Sequence, residues 1–193
     1  MTAIARNRGR RAIRTTLAIG TVSLGVLVLS ACEKPSPNAH FTLDSSSKSR
    51  ETASDCYGHG EPLGAERARD CLVGTENRVT FTSTPGDTFR IGVDAHVAEE
   101  GWLLFVNEQL YRAEPFTGTY RSFPSDQLFQ MVQQQATPGS PPVAEELRLS
   151  VAQIRADDYD IETIWASQTQ EEYDERLLGS LEGVWNATLE PGD

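Results

Sequence analysis

The chain has 193 residues, with 17 Lys+Arg against 28 Asp+Glu and a formal net charge of −11. Phosphate backbones repel so acidic a chain, which argues against a nucleic-acid partner. The length suits one domain behind a leader and is enough to bury a core without relying on disulfides alone.

Arg6, Arg8, Arg10, Arg11 and Arg14 give a basic opening, and an uncharged apolar run follows from Thr15 to Ser30. As a helix that run would span roughly 24 Å, short of a bilayer's ~30 Å core. It ends in Leu29-Ser30-Ala31-Cys32, an aliphatic residue and two small ones before a cysteine. The order of regions is that of a secretion signal, and the ending resembles the lipobox of bacterial lipoproteins. Residues 1–31 are therefore expected to be a cleaved signal, and Cys32 the lipidated first residue of a protein held on the outer face of the cytoplasmic membrane. Arg10-Arg11 leaves the export route open between the general and twin-arginine systems. The rival reading is an uncleaved signal anchor with a chance cysteine. Removing the five signal arginines from the total of 17 leaves 12 basic residues against 28 acidic ones, a net charge of −16.

With Cys32 acylated, Cys56 and Cys71 remain as a pair in an oxidising compartment, where a disulfide is the default. It would close a loop of about 15 residues, worth roughly 3 kcal/mol in the chain-entropy model. A metal site from Cys56, His59 and Cys71 is the alternative; structural zinc wants four ligands, and only His40 and His96 remain as further histidines. Gly58-His59-Gly60 reads as a flexible exposed loop.

Glu33 to Asn38, with Pro35 and Pro37, reads as a tether, followed by one domain over 39–193. Phe41 and Leu43 alternate with polar neighbours. Val79, Phe81 and Ser83 alternate, as do Phe89, Ile91 and Val93; the turn signal Thr84-Pro85-Gly86-Asp87 between them predicts a hairpin. Trp102 to Val106 is a continuous apolar run, as for a central strand buried on both faces. Thr119 to Phe123 is rich in strand formers. Leu128 to Gln134 fits a strand or a short helix capped by Ser125, and Thr137 to Pro142 is a Pro/Gly loop. Leu147, Leu149 and Val151 alternate on one side of Ala156-Asp157-Asp158, and Ile161, Thr163 and Trp165 on the other, which predicts a second hairpin with an acidic turn. Glu171 to Leu181 is the one helix expected, striped by Tyr173, Leu177 and Leu181. A last strand surrounds Trp185. Many short strands with regular turns predict a mainly antiparallel β-sandwich, in an immunoglobulin-like form as one option, with one short C-terminal helix. Ile91, Val93, Leu104, Leu149, Val151 and Trp165 are its expected core.

The order of features resembles that of actinobacterial secreted lipoproteins that share a domain of unknown function. The residues carrying the likeness are the lipobox, the strand Phe41 to Asp44, Cys56-Tyr57, Cys71, the Pro85-Gly86 turn, and the stretch Ile91-Gly92-Val93, Val97-Ala98 and Trp102-Leu103-Leu104. Val184-Trp185 ends the series. Asp94 departs from the pattern, which has proline there. The resemblance implies export and fold, and no activity.

The sequence has no Gly-x-Ser-x-Gly, His-Glu-x-x-His or P-loop. Asp157, Asp158, Asp160 and Glu162 fail the calcium-loop spacing and read as a solvated tip. Glu99-Glu100 reads as a polar turn and His96 as an ordinary strand or loop residue. Trp102 reads as core, while Trp165 and Trp185 leave a sugar-stacking role open. Asn186-Ala187-Thr188 matches a glycosylation sequon. No cofactor is expected. Two functions fit. One is a non-catalytic module binding an envelope protein, wall component or small ligand; the other is an envelope enzyme whose site is assembled from distant residues. A pocket gathering Asp, Glu and His would favour the enzyme, and an open acidic surface the module.

Overall fold

A computed structural model describes residues 35–135 and 146–192. The signal, Cys32 and the Pro/Gly loop at 137–142 lie outside them. The strands at 39–43, 79–83 and 88–93 alternate buried and less buried positions as their sequence does, and among the described residues nine strands form two sheets. β1 (Ala39–Leu43), β2 (Ser46–Arg50), β4 (Thr88–Val93) and β7 (Tyr120–Pro124) make a four-stranded sheet in the order β2-β1-β4-β7. β3 (Val79–Ser83), β5 (Trp102–Val106), β6 (Gln109–Leu110), β8 (Leu147–Ile154) and β9 (Leu181–Pro191) make the other, in the order β3-β9-β8-β5-β6.

Period-two alternation forces these sheets together. Phe41, Phe89 and Ile91 from the first and Leu104, Leu149, Val151 and Trp185 from the second share one buried cluster. The molecule is a mainly β sandwich. The expected core residues Ile91, Val93, Leu104, Leu149 and Val151 all belong to that cluster.

The second sheet is covered on its other face too, which is why Trp102–Val106 is buried at every position. Leu103, Phe105, Ala152, Ile154, Leu181 and Val184 pack there against helices. These are α1 (Ala65–Val73), α4 (Ile161–Trp165) and α5 (Gln170–Gly179); α2 (Ala95–Glu100) and α3 (Ser125–Gln135) complete the set. The described residues thus contain five helices where one was expected. The sequence at 128–134 is helical, with Leu128 buried in the sandwich core.

Two predicted hairpins are not formed. The turn after β3 closes as expected, with Asp87 N–H donating to Thr84 O and the Asp87 carboxylate accepting from Thr84 N–H at 2.7 Å. The chain changes sheets there, however. β3 pairs in parallel with β9, Val79 opposite Ala187, while β4 pairs with β1 and β7. Phe81 and Phe89 meet across the core with centroids 5.8 Å apart. Alternation specified inward faces and left the neighbours undecided.

The second hairpin fails for a local reason. Asp160 Oδ1 accepts from Glu162 N–H at 3.0 Å and Thr163 N–H at 3.3 Å, an N-cap that starts α4. The helix buries Ile164, and Trp165, expected in the core, is 61% exposed. Strand β8 pairs instead with β5 and β9. Leu181, expected at the end of the helical stripe, opens β9, because α5 stops at Gly179.

The tether also differs. Ser36 Oγ accepts from Thr52 N–H at 3.2 Å, and Asn38 N–H donates to Asp94 at 2.9 Å, so this stretch is docked on the domain.

A disulfide-braced acidic cleft as candidate functional site

Cys56 and Cys71 are bonded to each other, with their Cα atoms 5.7 Å apart. Their sulfurs form no thiolate, which removes the Cys56, His59, Cys71 metal alternative. Ala68, Cys71 and Leu72 fall on one face of α1 and are buried, so the disulfide braces that helix against the segment preceding it.

That segment is fastened to β9. Val184 N–H donates to Cys56 O at 2.9 Å, Gly58 N–H to Glu182 O at 2.8 Å and Leu63 N–H to Leu181 O at 2.8 Å. The Glu182 side chain, 3% exposed, accepts from Gly60 N–H at 2.9 Å and Gln153 Nε2 at 3.1 Å. Burial, with the Glu182 carboxylate and its hydrogen bond beside it, raises the Tyr57 hydroxyl above its ordinary pKa. Gly58-His59-Gly60 is therefore pinned through its backbone rather than loose. His59 is exposed and sits edge-on to the Tyr57 ring at 4.8 Å. Glu182 escaped notice in sequence because it occupies one position of an otherwise apolar strand. Its only signal was a carboxylate between Leu181 and Val184.

Opposite this anchor, β9 supports the far end of α1. Asn186 Nδ2 donates to Cys71 O at 2.9 Å and Gly74 O at 3.3 Å, and its strand neighbour Ser150 donates to Leu72 O at 3.2 Å. These bonds satisfy carbonyls that a helix C-terminus leaves open. The sequon at Asn186 is thus folded into the sheet, with Asn186 only 8% exposed.

Along α1 runs a cleft of about 920 Å³. Ala53, Cys56, Cys71 and Asn186 line it together with the carboxylates of Asp55, Glu66, Asp70, Glu76, Glu171 and Glu175 and the guanidiniums of Arg67 and Arg69. All eight charged side chains belong to exposed residues. Arg69 also faces Asp174 of α5 at 3.4 Å. The excess of carboxylates gives the cleft a negative potential that attracts cations. No histidine lines it. Among the described residues, no group of three or more His, Cys, Asp or Glu is placed to hold a metal ion.

The other singled-out residues lie elsewhere. His40 contacts Ser49 Oγ at 2.6 Å and Asp94 at 3.5 Å on the four-stranded sheet. His96 is exposed on α2, and Glu99-Glu100 ends that helix. Asp158 pairs with Arg155 at 3.4 Å. Asp160 caps α4, and hydrogen bonds from Thr163 hold its carboxyl below the usual pKa. Trp102 is fully buried and donates to Gly118 O at 2.9 Å.

The chain matches no family model, no curated protein and no solved structure. The geometry and the sequence therefore carry the functional reading.

Proposed function

We propose that the chain is an exported bacterial lipoprotein, anchored through acylated Cys32 to the outer face of the cytoplasmic membrane, and that its sandwich is a non-catalytic binding module. The observation that carries this reading is the Cys56–Cys71 disulfide, whose two residues line an open acidic cleft. A structural disulfide belongs to an oxidising compartment, and it braces the helix on which four of the cleft's charged side chains stand. The signal-like N-terminus and the resemblance to actinobacterial lipoproteins support the same address. Among the described residues no helix is long and apolar enough to cross a membrane; stable attachment through lipid takes more than one acyl chain. The partner is an envelope protein or wall component.

Cell fractionation tests the anchor. Wild-type protein is expected with membranes, and Cys32→Ala in the soluble fraction or stalled as precursor. Processing and retention of the variant like wild type would remove the lipoprotein reading. Cross-linking in intact cells followed by identification of the captured protein tests the module.

A further inference from the structure

The four-stranded sheet differs from the rest of the chain in charge. Its strands β1, β2, β4 and β7 hold Lys48, Arg50, Arg90 and Arg121 and no Asp or Glu, in a chain of net charge −11. Register sets two rows across its outer face. Ser49, His40, Gly92 and Tyr120 lie opposite one another, as do Ser47, Thr42, Arg90 and Ser122. All eight residues are exposed or half-buried. Arg121 and Lys48 stand at the two edges, over the Phe116 and Phe81 rings at 5.3 and 4.7 Å. Acidic residues return where the strands end: Asp87 and Asp94, flanking β4, accept N–H groups from Thr84 and Asn38.

The fold does not account for Gly92. A glycine inside a strand weakens it and often marks the close approach of a ligand or another backbone. Gly92 has no positive φ, and a Cβ there would meet His40 Cβ at 3.4 Å and Thr119 O at 3.7 Å, which are ordinary contacts. Tyr120 does not fill the space either. It is 61% exposed, and its hydroxyl accepts from Ser122 Oγ at 3.3 Å, so the ring lies along its own strand. A shallow notch floored by Gly92 is left between that ring and His40. Arg90 lies on the same face of β4, about 7 Å along the strand from Gly92. Among the described residues its guanidinium has no ion pair or hydrogen bond.

An aromatic ring presents an apolar face on which a sugar can stack, and a guanidinium pairs in bidentate fashion with a carboxylate. A neutral glycan leaves Arg90 unused, and a cationic ligand is repelled by the sheet. A uronic acid carries ring and carboxylate in one unit. We infer that the outer face of the four-stranded sheet binds a polysaccharide whose sugar rings carry carboxylates, with one ring seated over Gly92 against Tyr120 and its carboxylate on Arg90. The inference rests on the binding-module reading and names the class of wall component, on the side of the sandwich away from α1.

The test uses purified full-length protein in zwitterionic detergent at about 150 mM salt, where exposed charges more than ~8 Å apart are screened. The probes are hexagalacturonate, neutral maltohexaose, hexaglutamate and micelles doped with phosphatidylglycerol. Hexagalacturonate is expected to bind and to shift the Gly92 amide and Tyr120 ring resonances, with maltohexaose and hexaglutamate about tenfold weaker or more. Gly92→Ala fits the strand, so it should keep or raise the melting temperature while weakening hexagalacturonate about tenfold. Arg90→Gln should remove the preference for hexagalacturonate over maltohexaose.

No binding, shifts confined to another surface, or equal affinity for hexaglutamate would overturn the sugar face. Gly92→Ala binding like wild type would overturn the notch. Shifts at Gly92 and Tyr120 from the doped micelles and none from hexagalacturonate would assign the face to a lipid surface instead. Probe length after incubation is a separate readout. Bound but shortened hexagalacturonate would sink the non-catalytic module while sparing the site. A partner captured in intact cells, with no hexagalacturonate binding, would spare the module and sink the site.

Discussion

The indole Nε1 of Trp185 donates to the carbonyl oxygen of Pro37 at 3.0 Å, across 148 positions of sequence. This bond ties the chain leaving Cys32 to the middle of β9. Ser36 and Asn38 are docked beside it.

Trp185→Phe is expected to cost about 1–2 kcal/mol, from the lost hydrogen bond and the smaller ring. The melting temperature should fall by roughly 2–8 °C, and amides near residue 37 should exchange faster. Trp165→Phe, at a position 61% exposed, should leave both unchanged. The opposite ranking would show that the two tryptophans have been misassigned.

Replacing both Cys56 and Cys71 by Ala is expected to cost roughly 3 kcal/mol in a denaturant titration, from the freedom restored to a loop of about 15 residues. The measurement is the shift in unfolding midpoint with an unchanged slope. A change within error would mean that the hydrogen bonds to β9 hold the segment unaided.

Glu182→Gln places an amide N–H where Gly60 or Gln153 already offers one. About 1–3 kcal/mol should be lost, with exchange at Gly58 and Gly60 rising before the rest of the domain. Stability equal to wild type would show that the carboxylate is not the anchor of this loop.

Gly183 has no room for a side chain. A Cβ there would lie 2.9 Å from Tyr57 Cδ2 and 3.0 Å from Trp185 Cη2. Gly183→Ala should therefore destabilise by about 1–3 kcal/mol through overpacking. Pairing it with Tyr57→Ala should recover part of the loss, and a strictly additive pair would rule out the steric account.

Burial, with Tyr173 and Glu114 nearby, pushes Tyr159 up to about 12 from an ordinary 10.0, and its hydroxyl donates to Ala113 O. A pKa raised on folding gives stability that is complete below pH 10 and lost as the pH climbs from 10 toward 12. Tyrosinate absorbance should show a group titrating at about 12 that is absent in Tyr159→Phe. An unchanged titration in the variant would assign the late group elsewhere.

Residue pattern alone determined which faces turn inward. Alternation at Phe89, Ile91 and Val93, and the unbroken apolar run Trp102–Val106, identified strands and the one sheet covered on both sides, because side-chain direction follows local backbone period. Cysteine count with a signal-like leader was enough to pair Cys56 with Cys71. Strand neighbours were decided only in three dimensions. β3 bonds to β9 more than 100 residues later, and nothing local to Val79–Ser83 distinguishes that partner from β4. The 161–165 segment shows a closer competition: Ile161, Thr163 and Trp165 have strand spacing, yet one carboxylate at Asp160 satisfies two backbone N–H groups and tips the segment into a helix. The cleft was hidden for the same reason as the pairing. Its carboxylates come from α1, α5 and the segments flanking α1, and Asn186 comes from β9. Only packing of the helices on the outer face of the sheet brings those charges around one buried amide.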